Sequence, residues 1–121
     1  MADDLTAVFQ ALRPLYSAHA ARCVVTADEP GRYYLSVHKV REKDGYRMSV
    51  GGVEIKKAYV SAHLMPVYVH PEMLGGLSPA LRKRMQGKSC FNFRTPDPGL
   101  FEELGQLVDA GIDRFAADGW L

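Results

Sequence analysis

The chain has 121 residues, 47% of them hydrophobic and 24% charged, and a formal net charge of +1 at pH 7. This composition is typical of one globular domain and argues against intrinsic disorder. No apolar run approaches the ~18 residues that a membrane-spanning helix requires, and the acidic opening MADDLTAVFQ lacks the basic region of a signal peptide. We therefore expect a single domain over residues 1–121 with no membrane partner.

The small net charge hides a segregation along the chain. Residues 32–94 contain 12 Lys and Arg against 4 Asp and Glu, a net of +8, whereas residues 1–31 and 95–121 carry −2 and −5. Two interpretations remain open. Either the basic middle segment meets an anionic partner, or the acidic ends of the chain neutralise it within the fold.

Cysteine usage favours a reducing compartment. Cys23 and Cys90 are too few for a disulfide framework and lack the spacing of a metal-binding pair. We expect a cytoplasmic protein without a cofactor. Cys90 is interpreted as a small core residue; as a nucleophile it would need His63 or His70 as its base, and no cysteine–histidine family signature surrounds it.

An amphipathic helix opens the predicted fold. Apolar residues at 3- and 4-residue spacing from Leu5 to Tyr16 form one stripe of this helix, which should end near Ala18–Ala21. Pro14 falls late in the stripe and should kink or tighten the helix because it removes a backbone donor.

Strand-like segments with apolar residues at alternate positions follow the helix. They are residues 22–27, 33–40, 46–50 and 58–64. Asp28-Glu29-Pro30-Gly31 is a strong turn signal, and Asp44-Gly45 is the preferred pair for a two-residue hairpin turn. Gly51-Gly52 predicts a bulge or a close approach of the backbone.

Capping residues and prolines organise the rest of the chain. Ser78-Pro79 predicts the cap and first position of a short helix that contains Leu81–Gln86 and ends at Gly87, and a last strand is expected at Lys88–Phe93. Asp97-Pro98 repeats the cap and opens a closing helix with one apolar stripe. The stripe comprises Leu100, Phe101, Leu104, Leu107, Val108, Gly111, Ile112 and Phe115.

These elements predict an α+β fold. Its antiparallel sheet has about five strands, and the order along the chain is α-β-β-β-β-α-β-α. The two long helices and the sheet each have one apolar face, and packing both helices on the same side of the sheet buries all three. The N- and C-terminal helices are therefore expected on one face, with the opposite sheet face open.

The open face carries a repeated polar pattern. Tyr34-Leu-Ser-Val-His38 and Tyr59-Val-Ser-Ala-His63 place Tyr, Ser and His at alternate positions of two strands that should run in the same direction. Arg47 and Ser49 are predicted between the two rows. Hydroxyl, imidazole and guanidinium groups suit hydrogen bonding to a polar or anionic ligand.

We therefore predict a non-enzymatic binding domain whose sheet face recognises a small anionic ligand or an acidic partner surface. The candidate ligand-binding residues are Tyr34, His38, Arg47, Lys56, Tyr59, Ser61, His63 and Lys88. A solvated sheet face and a homodimer interface are alternatives for the same surface. No catalytic or metal-binding residue is assigned.

Other polar groups carry weaker predictions. The densest basic cluster is Arg82, Lys83, Arg84 and Lys88, which is either a solvated helix face or a phosphate-binding group. No nucleic-acid-binding module accompanies it, so nucleic acid is not an expected partner. A third possible class of function is an enzyme that uses His38 or His63 as a general base. A pocket that joins one of these histidines to Lys88 or Cys90 would favour this class.

Two stretches carry a family resemblance. The residues from Gly51 to Tyr68, GGVEIKKAYVSAHLMPVY, and those from Lys83 to Phe93, KRMQGKSCFNF, resemble a group of bacterial proteins related to the YdhG-like domains of unknown function. The similarity covers roughly residues 31–118. It implies an antiparallel sheet backed by N- and C-terminal helices.

The same resemblance supplies an alternative function. One member of the wider group is described as a frataxin-like iron chaperone, so the resemblance implies iron handling through carboxylates on the helices. Glu102, Asp109 and Asp113 lie on one line of the closing helix, opposite its apolar stripe. Such a line is either the solvated side of the helix or a site for hard cations.

Overall fold

An antiparallel sheet of six strands forms the centre of the fold, and helices from both ends of the chain cover one of its faces. The computed structural model describes residues 2–121 and the side chains of residues 4–121. Its strands are β1 (Val24–Glu29), β2 (Arg32–Val40), β3 (Arg47–Ile55), β4 (Val60–Leu64), β5 (Met85–Gln86) and β6 (Cys90–Phe93). Its helices are α1 (Ala2–Ser17), α2 (Met65–Val69), α3 (Pro79–Arg82) and α4 (Pro98–Ala117).

The strands lie in the order β1-β2-β3-β4-β6-β5, and every neighbouring pair is antiparallel. The predicted α+β class and the meander of β2, β3 and β4 are confirmed. The predicted strand at 46–50 begins at Arg47 and continues to Ile55, because Gly51 and Gly52 pair with Leu35 and Tyr34 within β3. The extra residue of the bulge is Val50, directly before them.

The core lies between the sheet and the two long helices. On the sheet, Tyr33, Leu35, Val53, Val60, Ala62, Leu64, Phe91 and Phe93 are buried. The predicted helical stripes face them: in α1, Val8, Phe9, Leu12 and Tyr16 are buried, and in α4 every predicted member except the half-buried Leu100 is buried. Alternation and helical spacing together explain this layer, since each element has one apolar face.

The segment between β4 and β6 differs from its prediction. The helix capped by Ser78 ends at Arg82 instead of Gln86, and Met85–Gln86 forms the short strand β5. Gly87 does not end a helix; with a φ of +75° it makes the tight turn between β5 and β6. The last strand therefore begins at Cys90 instead of Lys88.

Helix α3 is tied to α4 by one serine. The Ser78 hydroxyl accepts a hydrogen bond from the Leu81 amide at 3.2 Å and donates one to Glu103 Oε1 at 2.7 Å, and the Ser78 amide donates to Glu103 Oε2 at 2.7 Å. Leu81 is fully buried. These contacts fix where α3 begins and hold this N-terminal end against α4.

Helix α1 is tied to β4 by a tyrosine. Tyr16 is fully buried, and its hydroxyl donates a hydrogen bond to the His63 carbonyl oxygen at 2.9 Å. Burial strongly raises the pKa of this hydroxyl, so it remains a donor at neutral pH. The bond fixes the backbone of His63 from the covered side of the sheet.

We expect Tyr16→Phe to lower the free energy of unfolding by about 1 kcal/mol, because the carbonyl loses a buried hydrogen bond while the ring remains. Urea denaturation measures the change. Tyr68→Phe removes a hydroxyl from a side chain that is 55% exposed and is the matched control. Equal stability of the two variants would contradict a structural role for the Tyr16 hydroxyl.

Candidate functional site

Strand register places one residue from each of five adjacent strands in a row on the open sheet face. The row consists of Tyr34, Gly52, His63, Cys90 and Gln86, in the spatial order β2, β3, β4, β6 and β5. Residues directly opposite each other in an antiparallel pair point to the same face. The first and fourth residues, Tyr34 and Cys90, therefore lie on the same side of the sheet as His63.

A second row runs beside the first. It consists of Arg32, Glu54, Ser61 and Asn92. The prediction that Arg47 and Ser49 lie between the two Tyr-x-Ser-x-His patterns is wrong. Because β3 extends to Ile55, its glycine and glutamate lie there instead.

Gly52 leaves room for the ring of Tyr34. A Cβ atom at Gly52 would lie 2.6 Å from the Tyr34 ring and 2.2 Å from the Tyr33 carbonyl oxygen. The ring therefore occupies the space above Gly52 and reaches across β3 towards β4. Gly51 is just as tightly confined on the other side of the strand, since a Cβ atom there would lie 2.2 Å from the His63 carbonyl oxygen.

Glu54 anchors the other end of Tyr34. The Tyr34 hydroxyl donates a hydrogen bond to Glu54 Oε1 at 3.3 Å, and the Arg32 guanidinium lies 5.1 Å from the ring centroid. Burial, followed by the negative charge of Glu54, raises the pKa of Tyr34 to about 12. Lys56 Nζ lies 3.4 Å from the same carboxylate oxygen, so Glu54 balances part of its charge.

Five of the eight predicted ligand-binding residues line one cavity of about 400 Å³ on this face. They are Tyr34, Lys56, Tyr59, Ser61 and His63. The cavity is completed by three residues that the sequence analysis did not assign to the site: Gln86, Cys90 and Asn92.

The other three predicted residues lie outside this cavity. Arg47 donates hydrogen bonds to the carbonyl oxygens of Val37 at 2.8 Å and His38 at 3.0 Å, where the β2–β3 pairing is irregular. The Arg47 guanidinium therefore bonds the backbone of β2 and does not face the cavity. His38 is exposed beside it. Lys88 lies in a separate groove of about 360 Å³ with Arg82, Tyr68 and other residues of the β4–β6 connection.

A second cavity, of about 310 Å³, adjoins the first. Its basic residues are Lys83, Arg84 and Arg94, and both cavities are lined by Tyr59, Gln86 and Asn92. We call the two cavities together the sheet-face cleft. The part around His63 is its His63 half, and the part around the three cations is its basic half.

The acidic closing helix does not neutralise the basic half. Asp109 pairs with His19 at 2.6 Å and Asp113 with Arg22 at 3.0 Å, so both carboxylates contact the N-terminal part of the chain. Among residues 4–121, no ion pair involves the three cations of the basic half. Intramolecular neutralisation therefore does not explain this part of the charge segregation.

His63 and Cys90 are in contact within the His63 half. The Cys90 Sγ lies 3.6 Å and the Ser89 Oγ 3.2 Å from His63 Nδ1. Cys90 is half-buried on the open face, so its interpretation as a core residue is wrong. Burial lowers the pKa of His63 below its usual value, which keeps the imidazole neutral near pH 7.

Asn92 contributes an unsatisfied acceptor. Its Oδ1 is buried and has no hydrogen-bond partner among the described residues, although its backbone amide donates to the Arg84 carbonyl oxygen at 2.8 Å. Buried polar atoms are normally paired. Asn92 borders both halves of the cleft, and rotation of its side chain would present this acceptor to a hydrogen-bond donor there.

The sequence contained a signal for two of the missed residues. Phe91 and Phe93 are buried in the core, and strict alternation places Cys90 and Asn92 on the opposite face. Gln86 and Arg94 gave no such signal. Their positions depend on the turn at Gly87 and on the end of β6, which bring them beside Tyr59.

A larger cavity of about 690 Å³ lies between α1 and the β1–β2 turn. Its arginine, Arg13, is already used: the guanidinium pairs with Asp28 at 3.1 Å and lies 4.5 Å from the Tyr33 ring centroid. We therefore regard the sheet-face cleft, with its unpaired polar groups, as the candidate site.

Comparison of the chain with protein-family models, curated proteins and solved structures finds no match. The resemblance to YdhG-like proteins thus stays a prediction. Over residues 4–121, no three or more His, Cys, Asp or Glu side chains form a group that could hold a metal ion. Within the described part of the chain, no helix combines the length and apolar character needed to cross a membrane.

We expect Gly52→Ala to lower the free energy of unfolding by about 1–3 kcal/mol, because the new Cβ overlaps a backbone oxygen and the Tyr34 ring. Denaturant titration measures the change. Gly75→Ala has open space around its Cβ and is the matched control. If the two variants were equally stable, the close approach at Gly52 would not exist in solution.

The lowered pKa of His63 has a consequence for stability. Below ~pH 6.5, the usual pKa of histidine, the unfolded chain binds a proton at this residue that the folded chain does not. The free energy of unfolding should therefore fall as the pH decreases from 7.5 to 5, and His63→Gln should remove this part of the fall. His38→Gln, at an exposed position, should retain it. Identical pH profiles for the parent and His63→Gln would contradict the prediction.

Proposed function

We propose that this protein binds a small molecule carrying a phosphate or carboxylate group, and that the sheet-face cleft is the binding site. The observation that carries the proposal is the basic half: Lys83, Arg84 and Arg94 line one cavity, and none takes part in an ion pair within residues 4–121. Three unpaired cations around one concave surface form a favourable environment for an anion.

The chemistry of the basic half fits an oxyanion. Arginine guanidinium groups donate paired hydrogen bonds that match the geometry of carboxylate and phosphate oxygens, and lysine adds a compact charge. The backbone supports the arrangement, because Asn92 N donates to the Arg84 carbonyl oxygen and so fixes the segment after α3 to β6. All three cations are exposed, so salt should screen their attraction and binding of the anion should weaken as the ionic strength rises.

The His63 half fits the uncharged part of the same molecule. The charge of Lys56 is partly balanced by Glu54 at 3.4 Å, and neutral His63 adds no charge at pH 7. Asn92 Oδ1 is an acceptor without a partner. A ligand with a hydroxyl or N–H group next to its anionic group would satisfy this atom after rotation of the Asn92 side chain, while the anion lies among the three cations.

Iron handling by helix carboxylates is the alternative that the YdhG-like resemblance implies. Two of the carboxylates concerned, Asp109 and Asp113, are paired with His19 and Arg22. The cleft has the more specific support, and we therefore base the proposal on it.

Ribose 5-phosphate and ribose are suitable probes, since they differ by the phosphate that the basic half should bind. Ribose 5-phosphate should raise the thermal unfolding midpoint, corresponding to about 2.7 kcal/mol at a hundredfold excess over its Kd. Ribose at the same concentration should have little effect. Differential scanning fluorimetry at low salt measures both.

The double variant Arg84→Gln, Arg94→Gln should abolish the shift, whereas Lys43→Gln, at an exposed position in the β2–β3 turn, should leave it unchanged. Ferrous iron serves as the comparison ligand. A midpoint that rises with iron but with no phosphate or carboxylate compound would contradict the proposal and favour the alternative. A shift that survives in the double variant would place the anion elsewhere.

A further inference from the structure

We propose that Cys90 is a reactive thiol that forms a reversible covalent bond with an aldehyde held in the sheet-face cleft, with His63 as the acceptor of the thiol proton. The preference for an anionic aldehyde rests on the proposed function. The reactivity of the thiol does not depend on it, because it follows from the contact between the two side chains.

The first step of the argument is the contact itself. Cys90 and His63 are directly opposite each other in the β4–β6 pair, and Sγ lies 3.6 Å from Nδ1, within reach of a hydrogen bond to sulfur. A cysteine beside a general base is the arrangement that activates a thiol for nucleophilic attack. Neither strand is at the edge of the sheet, and regular antiparallel pairing between β4 and β6 holds the two residues opposite each other.

The second step is access. Cys90 and His63 both line the His63 half, which is open to solvent and connects to the basic half through Gln86, Asn92 and Tyr59. Asn92 Oδ1, buried and unpaired, belongs to the same wall. The thiol thus lies in a cavity with an unsatisfied polar atom, next to unpaired cations, and not on a plain surface.

The third step is the comparison with the other cysteine. Cys23 is 7% exposed, and burial raises its pKa. It lines none of the cavities described above. The chain therefore contains its own control: one thiol in contact with a base inside a cleft, and one in the core.

The reaction balances within the site. His63 Nδ1, in the tautomer protonated at Nε2, exchanges its closer contact with the Ser89 hydroxyl at 3.2 Å for the proton of Cys90, and Sγ attacks the aldehyde carbon. A carbon–sulfur bond forms as the carbon–oxygen π bond breaks, and the proton passes from His63 to the carbonyl oxygen. The product is a hemithioacetal, formed without oxidant, reductant or leaving group. Its carboxylate or phosphate would lie in the basic half.

Alkylation by the neutral reagent iodoacetamide tests the thiol without any variant. Peptide mass spectrometry should find Cys90 in the folded protein modified at least about tenfold faster than Cys23. His63→Gln should lower the Cys90 rate by up to about 100-fold, the lower range for a positioned base. His38→Gln, checked alongside it by circular dichroism, should leave the rate unchanged. Equal rates for the two cysteines, or a Cys90 rate insensitive to His63→Gln in a folded variant, would overturn the proposal.

Glyoxylate, an aldehyde with a carboxylate, tests the covalent bond and its anion preference. It should slow the alkylation of Cys90 reversibly, and at lower concentrations than acetaldehyde. Arg84→Gln, Arg94→Gln should weaken this protection, measured relative to the iodoacetamide rate of the same variant without aldehyde, whereas Lys43→Gln should leave both the rate and the protection unchanged. If glyoxylate protected Cys90 equally well in the parent and the double variant, the preference for an anionic aldehyde would be contradicted, whereas the reactivity of the thiol would stand. If Cys90 were alkylated rapidly and neither aldehyde slowed its alkylation, the proposed hemithioacetal would be contradicted.

Discussion

The close approach of three backbones at Gly51-Gly52 is the constraint on which the functional face depends. A Cβ atom at either position would lie 2.2 Å from a carbonyl oxygen of a neighbouring strand. Without side chains there, β3 fits tightly between β2 and β4, the Tyr34 ring lies across β3, and the row from Tyr34 to Gln86 becomes one wall of a cleft. On the covered side, the Tyr16 hydroxyl holds the carbonyl of the same His63 whose side chain lines the cleft.

The β5–β6 hairpin determines where the basic residues of the middle segment come together. The tight turn at Gly87 and the anchoring of α3 by Ser78 bring Lys83 and Arg84 beside Arg94, which follows β6. Arg13, Arg22 and Arg114 have carboxylate partners, whereas Lys43, Lys57 and Lys88 have none within residues 4–121. The basic half differs from these single lysines because its three cations line one cavity, and the neighbouring His63 half adds a neutral imidazole and a thiol to the surroundings of a bound ligand.

Much of the fold follows from periodicity. The apolar stripes of α1 and α4 and the alternation in β2 and β4 were sufficient to predict the layers and the open face, because these signals are local and repeated. Four of the five predicted residues that line the cleft, Tyr34, Tyr59, Ser61 and His63, follow from the same alternation, whereas Lys56 lies in the connection before β4. His38 and Arg47 do not reach the cleft because pairing between β2 and β3 shifts at Ser36 and again before Val40. Such register shifts depend on contacts between strands, as does the position of Arg94 beside Lys83, and no local pattern predicts them.

The central claim is that one continuous cleft binds an anionic molecule, and an NMR titration tests it most directly. With ¹⁵N-labelled protein and ribose 5-phosphate, we expect saturable amide shifts concentrated on β4 and on residues 83–94, with His63, Gln86 and Asn92 among those most affected. Phosphate at one end and the sugar at the other should perturb both halves of the cleft together. Shifts confined to the cavity between α1 and the β1–β2 turn, or no saturable shift with any phosphate or carboxylate compound, would contradict the account.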